Sequence, residues 1–145
     1  MKDFVRPWAV MVSGSRDMDW RHSFLIRDKL EPFAKVESNQ NLVIHGAGSG
    51  HLGACGCDRV AANAASELGF RVHGYPALWN LQDKSAGPIR NKLLLEILLA
   101  HGQAGYRMAF LAFSTGGPGT EGALRGVRGC SKSHEIQIEK IDVTL

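Results

Sequence analysis

Apolar residues in this chain come in short unbroken runs that alternate with longer segments patterned every three or four positions. Trp8 to Ser13 (WAVMVS), Asn41 to His45 (NLVIH), Arg71 to Tyr75 and Met108 to Phe113 (MAFLAF) are runs of strand length. Glu135 to Ile141 alternates Ile136, Ile138 and Ile141 imperfectly and adds a fifth. Between them lie helical segments. Asp19 is placed to cap a helix running to about Lys35, with Phe24, Leu25, Leu30 and Phe33 inward and Pro32 disturbing its last turn. Asp58 to Leu68 is alanine-rich and ends at Gly69, a suitable C-terminal glycine. Pro88 suits the first turn of a helix that runs to His101 and ends at Gly102. Thr120 is placed to cap a last helix reaching about Cys130.

The order is βαβαβαβαβ, which argues for a parallel sheet with helices on both faces. The expected fold is a Rossmann-like, doubly wound, five-stranded parallel sheet of order 3-2-1-4-5, formed by residues 1–145 as one domain. The first and fourth strands are apolar throughout, as centrally placed, doubly covered strands are. Ligands of such sheets bind outside the carboxyl ends of the strands, where the winding reverses. Chemistry is therefore sought in the loops after the strands.

Composition sharpens that expectation. Glycine supplies 17 of 145 residues, about 12% against a usual 7% or so. Proline contributes only 5, and charged residues 21%, which suits a globular chain better than a disordered one. The richest apolar stretch, Ile89 to Ala100, is interrupted by Arg90, Asn91, Lys92 and Glu96, so no membrane span is expected. Met1 to Pro7 is charged and lacks the apolar core of a signal peptide, and three cysteines do not make a disulfide scaffold. A cytoplasmic location is expected. The net charge of +3 suits an anionic small molecule or nucleic acid and separates neither.

Four loops carry candidate chemistry. After the first strand, Ser13, Gly14, Ser15 and Arg16 combine a tight turn, two hydroxyls and a cation. It is no Walker loop, because no Gly-Lys-Ser/Thr comes after it. After the second strand, His45 and Gly46 open a glycine-rich stretch to Cys57, Asp58 and Arg59. Gly48, Gly50 and Gly53 satisfy G-x-G-x-x-G, but the helix starts too late for a dinucleotide turn. Flexible glycine here suits a mobile loop over a ligand. His45, His51, Cys55 and Cys57 match no common zinc spacing, so no metal is expected.

Arg90 and Asn91 sit one turn into the third helix, where a cation opposes the helix dipole and therefore suggests a role toward a ligand. The loop after the fourth strand is the strongest signal. Gly116, Gly117 and Gly119 allow a phosphate close to the backbone, and Thr120 offers a hydroxyl at a helix N-terminus. Gly117, Gly119 and Gly122 again spell G-x-G-x-x-G, with Glu139 and Asp142 near the place of a ribose-binding acid.

Val12 to Asp17, His45 to Ala47, Cys57 to Arg59, Ala86 to Asn91 and Gly116 to Thr120, in that order, resemble the YspA/YpsA-related branch of the SLOG superfamily. Other members include the LOG phosphoribohydrolases and DprA-like DNA-binding proteins. The resemblance runs from about Val10 to Ile138. It implies a Rossmann-like sheet that binds a nucleotide or nucleotide-derived ligand, such as an ADP-ribose-like or cyclic nucleotide molecule; no cofactor is expected.

LOG relatives release the base from nucleoside 5′-monophosphates. Their motif pairs an Arg, matched here by Arg90, with a glutamate two residues after the loop threonine. This chain has Gly122 there, and Glu121 stands one position early, about 100° around the helix. Arg90 and Glu121 are the candidate catalytic pair of that alternative.

Binding is therefore the leading expectation. Ser13 to Arg16 would cradle one end of the ligand, and Gly116, Gly117, Gly119 and Thr120 a phosphate. Arg90 would pair with an anionic group, and Asp58 or Glu121 with ribose hydroxyls. DNA binding ranks third, since a solvated helix face accounts for Arg125, Arg128 and Lys132. Leu93, Leu94, Leu95, Ile97, Leu98 and Leu99 cover more than one stripe of their helix, which suits either deep burial or half of an interface. LOG-type proteins pair through helices, so the resemblance implies a homodimer or higher homo-oligomer. Trp20 and Trp79 are candidates to stack on a base.

Overall fold

The computed structural model describes residues 5–35, 38–47, 56–77 and 85–145. Five strands form one parallel sheet: β1 (Trp8–Gly14), β2 (Leu42–His45), β3 (Arg71–Gly74), β4 (Arg107–Ser114) and β5 (Ile136–Asp142). Their order is β3-β2-β1-β4-β5. Every neighbouring pair is parallel, and β1 aligns with β4 from Trp8–Arg107 to Gly14–Phe113. Among the described residues four α-helices connect the strands: α1 (Ser23–Ala34), α2 (Gly56–Glu67), α3 (Ala86–Gln103) and α4 (Pro118–Cys130). This is the expected Rossmann-like, doubly wound architecture.

The alternation of side chains along β1 shows why both sheet faces are covered. Val10 and Val12 join Val43, Leu111 and Phe113 in a core closed by α1 and α2. Ala9 and Met11 join Ile44, Phe110 and Ala112 in a second core closed by α3 and α4. A strand buried on both sides cannot alternate apolar with polar, which explains the unbroken runs in β1 and β4. Each of these helices begins at the carboxyl edge of the sheet and ends at the opposite edge. The winding reverses between β1 and β4.

Three element starts differ from the sequence expectation. Asp19 caps a single 3-10 turn, Trp20–His22: its side chain accepts from Arg21 N–H at 3.0 Å while Asp19 N–H donates to His22 Nδ1 at 3.1 Å. That turn shifts the phase of α1. Ile26, Leu30 and Phe33 face inward, whereas Phe24, expected inside, is 82% exposed. Helix α2 starts before Asp58, at Gly56, whereas Pro88 lies in the first turn of α3 as expected. Helix α4 starts before Thr120: Gly117 is its N-cap, Pro118 its first residue, and Thr120 is buried in its first turn. Among the described residues no helix is long and apolar enough to cross a membrane.

Candidate functional site

The described parts of the four loops meet at the carboxyl edge, and hydrogen bonds join them in sequence. Ser13 is half-buried at the end of β1. Gly14 lies so close to α2 that a Cβ there would stand 2.5 Å from Cys57 Sγ and 3.0 Å from the Phe113 carbonyl oxygen. Ser15 is partly committed to holding the loop: its carbonyl accepts from Cys57 N–H at 2.9 Å, and its hydroxyl accepts from Asp17 N–H at 3.1 Å. Arg16 lies exposed at the outer flank, its backbone against Gly56, whose φ of +58° and contact with Arg16 both demand glycine.

The turn at His45, Gly46 and Ala47 is clamped from two sides. His45 Nδ1 accepts from Ala47 N–H at 2.9 Å, which assigns the proton of the neutral ring to Nε2. Burial, and then the charge of Arg90, lowers the His45 pKa from 6.5 to about 4, so the ring is neutral near pH 7. Arg90 Nη1 donates to the Gly46 carbonyl at 2.5 Å. A Cβ on Gly46 would run into that guanidinium, so glycine here permits a close approach. Ala47 holds φ at +56°, a left-handed conformation uncommon for a residue with a Cβ.

Arg90 also donates through Nε to Asn91 Oδ1 at 3.0 Å, and Asn91 Nδ2 donates to the Gly119 carbonyl at 3.4 Å. The chain of contacts thus runs from β2 through α3 to the start of α4. Asp58, buried in the first turn of α2, completes the arrangement. Burial lowers the Arg90 pKa, and the Asp58 charge opposes that shift. Arg90 therefore acts first as the tie that holds these loops together. Its charge is what it can present to a ligand. Cys57 is wholly buried, and burial, then Asp58, pushes its thiol pKa well up, which makes it an inert packing group.

Gly116 has φ at +88° and needs to be glycine. Gly117, with φ at −67°, does not, and at Gly119 a Cβ would meet no atom within 4 Å. Neither backbone strain nor packing among the described residues calls for glycine at these two positions. They leave open space before the N-terminus of α4, whose first N–H groups have no acceptor within the helix. Glu121 is drawn toward β5: Ser114 Oγ donates to its carboxylate at 2.7 Å and Lys140 Nζ stands at 3.2 Å. Ser114 and then Lys140 hold its carboxyl below the usual carboxylate range.

Sequence reasoning did not select Ser114 or Lys140. Ser114 reads as an ordinary loop residue, and Lys140 reaches Glu121 only because β5 pairs with β4, setting Lys140 opposite Ala112. A surface groove of about 470 Å³ lies between α1 and α2, with Met18, Gly56, Arg59, Val60 and Asn63 along it and the 78% exposed Trp20 at its rim. Gly48, Gly50, His51, Gly53, Cys55 and Trp79, which carried the second-loop glycine pattern, the zinc question and one stacking candidate, lie outside the described residues. A scan against protein-family models finds no match for the chain, and a search of curated proteins finds none either.

Proposed function

We propose that this chain is a nucleotide-binding module of the SLOG type. It would hold a nucleotide or nucleotide-derived ligand, such as ADP-ribose or a cyclic nucleotide, at the carboxyl edge above β1 and β4. The observation that carries this reading is the start of α4. Gly117 and Gly119 have no reason among the described residues to be glycine, Gly119 faces open space, and Asn91 beside Arg90 bonds to the same turn. A helix N-terminus with room in front and a cation nearby suits a phosphate. Asp58, at the start of α2, would accept from ribose hydroxyls.

The phosphoribohydrolase alternative asks Glu121 to face the ribose, to stabilise charge or activate water. Its engagement by Ser114 and Lys140 favours holding over cutting. Calorimetry with AMP, ADP-ribose, NAD and cyclic nucleotides tests the proposal, with free-base release from nucleoside monophosphates measured in parallel. Heat of binding without release is the expected result, and no heat with any of them refutes the reading.

The same proposal includes a homodimer formed through α3. Ile89 and Leu93 remain 46% and 44% exposed on that helix, while Leu94 and Leu98 fill the core. Sedimentation of the wild type as a dimer, and of Leu93→Glu as a monomer, is the expected pair of results. A monomeric wild type removes this part.

A further inference from the structure

Glu121 poses an electrostatic problem for any anion seated at α4. It is an acidic residue in the first turn of the helix, two positions after Gly119. Its contacts show how the fold deals with that charge. Lys140 reaches across from β5 to the carboxylate at 3.2 Å and also lies 3.9 Å from Asp142. Ser114 is 2% exposed, and its hydroxyl donates to Glu121 at 2.7 Å while accepting from Gly116 N–H at 3.0 Å. The carboxylate, the serine and the backbone of the left-handed Gly116 thus form one relay. Val143 N–H donates to the Ser114 carbonyl at 2.8 Å, so β5 anchors the same point.

We infer that Lys140 is a specificity-determining residue of the candidate site: by neutralising Glu121 and drawing it toward β5, it lets the α4 loop accept a phosphate-bearing ligand in preference to its unphosphorylated counterpart. The inference rests on the nucleotide-binding reading and deepens it. Glu121 and Ser114 position the glycine loop, and Lys140 cancels the charge which that positioning brings close to the anion. Asp142, 87% exposed at its side chain, is a weaker competitor for the same ammonium.

The test is a double-mutant cycle read by calorimetry with AMP and adenosine as probes, on variants whose melting shows them folded. Lys140→Met exposes the Glu121 charge and should weaken AMP roughly fivefold to tenfold, as expected for a nearby like charge in a partly solvated site. Adenosine affinity should change less than twofold. Glu121→Gln added to Lys140→Met should restore AMP affinity, since the amide still accepts from Ser114 but carries no charge. A lysine that only staples β5 to the loop would show no such rescue.

If Lys140→Met binds AMP as tightly as the wild type, or the second substitution restores nothing, the inference is overturned while the nucleotide reading stands. If the wild type binds none of AMP, ADP-ribose, NAD and the cyclic nucleotides, both fall.

Discussion

Gly119→Ala separates what glycine does for the fold from what it does for a ligand. The position lies in the first turn of α4 and its φ is not left-handed. An added Cβ would meet no atom within 4 Å. Alanine should therefore be accommodated, and by restricting the unfolded chain it should stabilise the protein by about 0.4–1 kcal/mol. For a domain near this size, that raises the melting temperature by about 1–4 °C. In a helix the Cα–Cβ bond tilts toward the N-terminus, so the new methyl would point into the space before α4. A phosphate seated there would lose close approach to the backbone, and AMP affinity should fall roughly tenfold, or about 1.4 kcal/mol.

Gly126→Ala is the control. It lies mid-helix, where a Cβ would reach Leu95 Cδ2 at an ordinary 3.9 Å. It should stabilise by about 0.8–1 kcal/mol and leave AMP affinity unchanged. Thermal melting and calorimetry on the two variants supply all four numbers. An alanine at position 119 that raises the melting temperature and binds AMP as tightly as the wild type would refute the assignment of α4 as the phosphate seat.

Three further outcomes concern the clamp and its surroundings. Arg90→Met removes the bonds to Gly46 and Asn91 and the charge opposite Asp58, and should cost about 1–3 kcal/mol in denaturant unfolding. Arg90→Lys should recover little of it, because an ammonium cannot reproduce the guanidinium fork. For His45, the folded pKa of about 4 lies below the ordinary 6.5, so the unfolded chain binds more protons between those values. Stability should then fall as pH drops from about 6.5 and level off near 4, by about 3 kcal/mol in all, and His45→Gln should flatten that slope in urea titrations. Gly14→Ala should destabilise by about 1–3 kcal/mol through overpacking, read in the same titrations. Cys57→Ala should relieve it only in part, since the Cys57 Cβ itself would stand 2.7 Å away.

Residues with a one-to-one relation to their surroundings are legible in the sequence itself. The apolar runs of β1 and β4 can be satisfied only by burial on both faces, and that fixes them at the centre of the sheet. The glycines after β4 stand out because a helix begins there. Phase is harder to read. A single 3-10 turn rotates Phe24 outward, and Pro118 begins α4 before Thr120 can cap it. Long-range pairing is hardest. Arg90 draws notice as a cation against a helix dipole, yet its bond to Gly46 spans 44 positions. Lys140 meets Glu121 through strand register, which no local pattern encodes.

Helices α1 to α4 all start at the edge where the candidate site lies, so their backbone dipoles point the same way. The positive potential they produce there belongs to peptide groups, and peptide groups do not titrate. Salt weakens that field, but a change of pH within the folded range does not remove it, and acetylating lysines leaves it in place. The opposite edge collects the helix carboxyl ends, and there Arg6 donates to the carbonyls of Gly105 and Tyr106, just beyond α3. Some of the chain's formal positive charge is thus used at the far edge, where it balances the polarity of the fold. Control over the anion proposed for the near edge then has to act through access and through neighbouring side chains such as the Glu121–Lys140 pair, because the field itself lasts as long as the protein stays folded.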